Sequence, residues 1–144
     1  MNALLDTCIP SELIKRKPQE SVVNWVNQQQ ESSLFISVLT LGELQKGIAK
    51  LIDDERRKKL QKWLDEDLSQ RFADRILDIS PEIARTWGIL QGQLELQGKK
   101  MPIIDGLIAV TAQVHDLVLV TRNVADMQRS GVQIINPWEL PSKT

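Results

Sequence analysis

The chain has 144 residues, 42% of them hydrophobic and 26% charged, with a net charge of −1 and one cysteine. That composition excludes disorder, and the near-neutral balance excludes a global basic field for nucleic acid or membrane, so any such contact must come from a local patch. A lone Cys8 excludes an internal disulfide and fits a reducing cytoplasm; no apolar run nears the ~18 residues of a membrane span, and Asp6 comes too early for a removable leader. The expectation is a cytoplasmic protein with no membrane contact, one domain over residues 1–140 and a short tail over 141–144.

Taken in order, Ala3–Asp6 reads as a short buried strand, and Pro10 suits the first turn of a helix ending near Arg16. Glu20–Gln30 carries valines beside Trp25 at helical spacing, and Leu34–Val38 is a β-rich run. Thr40, with Glu43 three residues on, predicts a capping box for the next helix, whose Leu41, Leu44, Ile48 and Leu51 share a face. Gly47, one turn after Glu43, predicts a close approach of another backbone. Asp53–Phe72 reads as one long amphipathic helix, and Ile76–Ile79 as a short strand. Pro81 opens a helix with Ile83, Trp87, Leu90 and Leu94 on one face; Pro102 opens the helix that bears Asp105. A strand at 117–121, a helical turn near Val124–Gln128 and a strand at Val132–Ile135 follow, closed by Asn136-Pro137-Trp138.

Strands alternating with helices imply a parallel sheet with helices on both faces, where ligands sit beyond the carboxyl ends of the strands. Asp6 ends the first strand, Glu43 lies on the helix leaving the second, and Asp105 lies in the first turn of the helix feeding the strand at 117–121. Asn123 and Asp126 follow that strand. An unpartnered carboxylate in an apolar segment costs several kcal/mol, roughly 2–7 even when neutral, so its presence argues for use. Acids gathered at one edge raise each other's pKa unless a positive charge intervenes, and a hard Mg²⁺ or Mn²⁺ ion prefers oxygen ligands. Such an ion can polarise a phosphodiester and help form hydroxide from water.

Other chemistries fit the inventory less well. One His and one Cys cannot build a zinc cluster, His115 falls at a helix end, and the seven glycines form no phosphate-cradling loop. The run Arg56-Arg57-Lys58-Lys59 is flanked by Asp53–Glu55 and Asp65–Asp67, so it reads as a solvated helix face. Lys46, Lys99, Lys100 and Arg122 lie nearer the acidic edge and are the candidates for phosphate contact. Glu12 reads as solvated helix charge. Trp25, Trp63 and Trp87 sit in apolar stripes and read as core or subunit interface rather than base-stacking platforms; the Trp63 and Trp87 stripes are where a homodimer is expected.

Leu4-Leu5-Asp6-Thr7, then Ser37 through Gly47, then Asp105-Gly106-Leu107-Ile108-Ala109, then Leu119-Val120-Thr121-Arg122-Asn123 resemble the PIN-domain family, and within it the toxins of VapBC-type toxin–antitoxin modules. The resemblance implies a three-layer α/β/α fold around a short parallel sheet. It also implies a Mg²⁺- or Mn²⁺-dependent endoribonuclease leaving a 5′-phosphate. A cognate antitoxin would hold it inactive, and operator DNA would be reached only through that antitoxin. The acidic positions carry over to Asp6, Glu43 and Asp105, with a fourth at Asn123 or Asp126. Where the family has Asn after Leu-Asp-Thr, this chain has Cys8, which departs from the pattern and is a poorer hydrogen-bonding group.

The resulting expectation is a toxin ribonuclease in which Asp6 and Asp105 hold the metal, and Glu43 completes the set or orients the attacking water. Asp126 is expected to supply the fourth acid. Thr7, Thr40 and Asn123 would hydrogen-bond around the site, and Arg122 would position phosphate. The rival expectation is a PIN-like domain that cuts poorly and serves mainly as a partner in an antitoxin–DNA complex. A phosphatase with Asp6 as nucleophile lacks its second aspartate, since Cys8 stands there.

Overall fold

The computed structural model describes residues 1–140; the tail expected at 141–144 lies outside them. Five parallel strands, β1 (Ala3–Leu5), β2 (Leu34–Ser37), β3 (Ile76–Leu77), β4 (Val118–Val120) and β5 (Ile134–Ile135), run in the order β3-β2-β1-β4-β5. The first strand is therefore the middle one. Ala3 pairs with both Leu34 and Val118, so one three-residue strand ties residues more than a hundred apart.

Alternation along β1 sorts its side chains between two cores. Ala3 and Leu5 face a core shared with helices α1 (Cys8–Leu13), α2 (Glu20–Asn27) and α3 (Val38–Ala49). Leu64, Leu68 and Phe72 complete that core from a helical stretch: α4 (Asp54–Lys62), a π-helical turn over Trp63–Leu68, and α5 (Ser69–Arg71). Leu4 and Leu119 face the other core, built on α6 (Pro81–Leu96) and α7 (Ile103–Val114) and closed by Met127 of α8 (Val124–Met127). This is the expected three-layer arrangement.

Several local expectations change. The helix after β1 starts two residues before Pro10 and stops at Leu13, short of Arg16. Ser37, not Thr40, caps α3: its hydroxyl accepts the Leu39 amide at 3.0 Å, which leaves the Thr40 side chain free for the site. The Asp53–Phe72 helix is widened at Trp63–Leu68, and the Ser69 hydroxyl satisfies the Leu64 carbonyl at 2.7 Å. Nothing lies within 4 Å of a Cβ placed on Gly47, so no backbone approaches it, and the glycine is simply exposed. Glu12 is buried, its carboxylate held by Lys15 at 2.8 Å and by the Gln19 amide at 2.9 Å; its pKa is lowered by these partners.

The loop that delivers α7 is fixed at both ends. Gly98, at φ +70°, lets the Lys99 amide reach back to the Leu94 carbonyl at 2.8 Å and close α6. Buried Gln91 then clamps Met101 through both backbone groups, at 2.7 and 3.1 Å, three residues before α7's second residue is reached. Proline and glycine punctuation in the sequence thus becomes a defined starting point for the helix that carries Asp105.

Candidate active site

Asp6 leaves β1 with its amide still bonded to the Val120 carbonyl at 2.9 Å, so its backbone is held as an extension of the sheet. Its side chain is almost wholly buried. One oxygen accepts the Thr7 amide at 2.8 Å, and the other accepts the Thr121 hydroxyl at 2.8 Å. Burial pushes its pKa up, the Thr121 and Thr7 bonds oppose that, and the charge of Glu43 adds to the rise.

Glu43 is brought in by α3, which packs on the same face of the sheet as α1. Its Oε1 accepts the Thr7 hydroxyl at 2.5 Å. Thr7 has only one hydroxyl proton and gives it to Glu43, so the buried Thr40 hydroxyl, 3.0 Å away, must be the donor to Thr7. A short chain of donors therefore runs from α3 through Thr7 to Glu43. The premature cap expected at Thr40 is physically a buried strut.

Asp105 enters from α7, two residues into the helix, and is half-buried. The Asn123 side-chain amide donates to it at 3.1 Å, and the Asn123 backbone amide in turn donates to the Thr121 hydroxyl at 2.9 Å. Thr121 thus links the two aspartates: it gives its proton to Asp6 and receives one from the residue that steadies Asp105. The Asp105 carboxyl is pushed up to about 6, by burial first and then by Asp6, Glu43 and Asp126. Its neighbour Gly106 is required by contact: a Cβ there would lie 2.9 Å from Trp87 Nε1. That indole N–H is buried with no hydrogen-bond partner.

The structure therefore brings together Asp6, Thr7, Thr40, Glu43, Asp105 and Asn123. Asp126 stands further out, felt by Asp105 through its charge and paired with Arg129 at 3.8 Å. Arg122 is exposed and stacks over the Trp138 ring at 5.3 Å. Trp63 packs at the edge of one core and Trp87 against Gly106, so both are used within the chain. On α6 the apolar side chains Ile89 and Leu96 are exposed, as are Ile52 before α4 and Ile103 and Ile104 at the start of α7. Cys8 lies 3.8 Å from the Thr121 hydroxyl, and burial followed by the charge of Asp6 pushes its thiol up. Thr121 was the site residue that sequence reasoning passed over. Its signal was available, since a hydroxyl directly after a buried strand and before Asn123 is positioned for such a link.

Among the described residues no Lys or Arg pairs with Asp6, Glu43 or Asp105. The donor set is all oxygen and its negative charge is uncompensated, which fits a hard divalent cation in chemistry. Also among the described residues, no three Asp, Glu, His or Cys side chains stand close enough together to ligate one ion without moving.

A five-stranded parallel sheet with acids converging on its carboxyl edge defines the class, and the family model for the PIN domain matches residues 3–129, so the chain belongs to the PIN domain family. It is 34% identical to the VapC ribonuclease Y4jK of Sinorhizobium fredii over 136 residues, 94% of this chain and 97% of that protein. It is 31% identical to the toxin FitB of Neisseria gonorrhoeae, over 94% of this chain and 97% of that one. Its fold superposes on the crystal structure of FitAcB from Neisseria gonorrhoeae with a TM-score of 0.90 at 31% identity, covering 96% of this chain and 99% of that chain. On FitAB bound to an IR36 DNA fragment the TM-score is 0.89 at 28% identity, with 99% of both chains covered.

Proposed function

We propose that this chain is a Mg²⁺- or Mn²⁺-dependent endoribonuclease that acts as the toxin of a toxin–antitoxin module in the cytoplasm. The observation that carries the reading is the convergence of Asp6, Glu43 and Asp105 from three distant segments on one sheet edge with no cationic side chain among them. The likeness to proteins named as VapC ribonucleases and toxins, over nearly the whole length of both chains, supports it. Among the described residues no helix is long and apolar enough to cross a membrane.

In this reading Asp6 and Asp105 would hold the metal, which supplies polarisation of the scissile phosphodiester and a lower pKa for water. Glu43, with one oxygen anchored by Thr7, orients the attacking water through the other and takes up its proton. Thr121 and Thr7 favour the ionised form of Asp6 against the burial that raises its pKa, and Asn123 does the same for Asp105. Asp126 supplies a fourth negative charge at the rim, and Arg122 is free to meet phosphate. A small antitoxin is the partner, in keeping with the FitAB and VapBC complexes that share this fold, and operator DNA is reached through it. A homodimer would use the uncovered apolar side of α6, around Ile89 and Leu96.

One observation favours a second reading, a domain that cuts poorly and serves chiefly within an antitoxin–DNA complex: the carboxylates do not converge to ligating distance as they stand. Expression of wild type and of Asp105→Asn in a bacterial host separates the two. Growth arrest by wild type alone, with cellular RNA cleaved, is the expected result. Arrest by neither would leave the binding role in possession of the site.

A further inference from the structure

The acidic site is flanked by a second charged feature that the sequence hides, because its two halves lie far apart in the chain. Residues 12–17 and 50–62 hold nine of the 18 Lys and Arg but only four of the 19 acids, a net +5 within a chain of net −1. The fold sets these segments side by side. Lys15 and Arg16, just past the end of α1, face Arg56 and Lys59 of α4 across an open groove of about 750 Å³. Two acids also line it, Asp53 and Glu55, but the Asp53 carboxylate is engaged as the cap of α4, accepting the Glu55 and Arg56 amides. Lys15 is paired with Glu12. Among the described residues Arg16, Arg56 and Lys59 form no ion pair, and four cations against two carboxylates leave the lining net positive.

Both walls lead back to the acids. Thr7, which holds Glu43, is followed directly by α1, and Glu43 itself stands six residues before the end of α3, after which the chain turns into α4. Six helical residues rise about 9 Å, so the wall at the end of α1 lies about one short helix along the chain from Thr7. A polyanion drawn through the groove would present its next units to the acidic edge. The negative edge repels phosphate, and a catalyst for a polyanion needs a separate positive footing close by.

We propose that the groove between the end of α1 and α4 is the track that grips the RNA backbone a few nucleotides from the cleaved bond, with Arg16, Arg56 and Lys59 meeting phosphates. This rests on the ribonuclease reading above and names the surface by which that substrate is held. The flanking acids that make Arg56–Lys59 look like a solvated face in the sequence do not neutralise it in the fold.

The test is binding of polyuridylate to wild type and to the Arg16→Gln/Arg56→Gln/Lys59→Gln variant in EDTA, by fluorescence anisotropy across a salt series. These side chains are on the surface, and a thermal melt establishes that the variant is folded. Three lost phosphate contacts should make the slope of log K against log salt shallower by about 2, at roughly 0.7 per contact for a single strand. An unchanged slope overturns the proposal, as does a loss confined to polyglutamate binding, which would give the groove to an acidic protein segment. Cleavage of total cellular RNA by wild type in Mn²⁺ is scored separately. Cleavage with an unchanged slope removes the groove alone, and a changed slope without cleavage removes the nuclease reading while the groove stands as an RNA site.

Discussion

The two aspartates at the sheet edge are held in opposite ways. Asp6 extends a central strand, is nearly sealed from solvent, and has both oxygens occupied by Thr7 and Thr121. Asp105 begins a helix whose N-cap is Pro102, lies half-exposed, and has one neutral partner, Asn123. The difference teaches that the site has a fixed corner and an adjustable one. The carboxylates stand apart, so if the chain holds the metal proposed above, the movement that gathers them falls to the Asp105 side, where a single hydrogen bond yields more readily than a sheet.

The largest effects should come from removing either charge. Asp6→Asn and Asp105→Asn are each expected to lower RNA cleavage in Mn²⁺ by more than about 100-fold, beyond the 10–100-fold typical of groups that only orient ligands. The two should differ in stability: Asp105→Asn relieves repulsion with a group of similar shape, whereas Asp6→Asn leaves one oxygen to accept the two donors, Thr7 N–H and Thr121 O–H, that the carboxylate satisfies. Equal melting temperatures in the two variants would erase the distinction between corners.

Next comes the strut between them. Thr121→Val keeps the shape but removes the donor to Asp6 and the acceptor for the Asn123 amide. A loss of about 10–100-fold in Mn²⁺ affinity is expected, measured by calorimetry. Asp126→Ala should weaken Mn²⁺ binding by about tenfold, at the low end of that range, with Asn123→Ala milder. Were Asn123→Ala the more damaging, Asp126 would be only a rim charge paired with Arg129.

Gly106→Ala pushes a methyl to 2.9 Å from the Trp87 ring and tests how much play the adjustable corner has. A cost of about 1–3 kcal/mol is expected in urea unfolding. Substituting Trp87 by Leu in the same chain should recover part of it.

The smallest effect is on pH. An acid raised from 3.8 to about 6 binds its proton more tightly folded than unfolded, so Asp105 makes metal-free stability fall as pH rises from about 4 to about 6, with no further change above. Asp105→Asn should flatten that part of the profile, and saturating Mn²⁺ should do the same for wild type. A wild-type profile that rises through this window would contradict the burial and repulsion assigned to Asp105.

Much of this was readable before the fold was known, for identifiable reasons. Strand-end Asp6 and helix-start Asp105 stand out because a charge interrupts an apolar run, and period-2 alternation in β1 and β4 fixes which face each residue joins. Thr40 was misread because its spacing to Glu43 matches a local cap, while its partner Thr7 lies 33 positions away. Glu12 looked solvated for the same reason: its partner beyond α1 is the backbone of Gln19, invisible to charge patterning. Gly47 and Gly106 show the converse. Both sit in helices, but only the fold reveals that Trp87 crowds one and nothing crowds the other. Local order was legible; pairings across the sheet were not.

The placement of β1 at the middle of the sheet has a consequence for synthesis. The strand made first waits for β4, and Asp6 is without its Thr121 bond until residue 121 has been translated and released to fold. Long-range parallel pairing of this kind is slow to form compared with local helices. At about 5–20 residues per second, the ribosome takes on the order of ten seconds to reach that point. During that interval the nascent chain has its first aspartate and its basic groove but lacks the link that joins Asp6 to Asp105. If the chain is the ribonuclease proposed above, its cleavage of RNA must wait for that link, and an inhibitor present during folding would meet the chain before the site is complete.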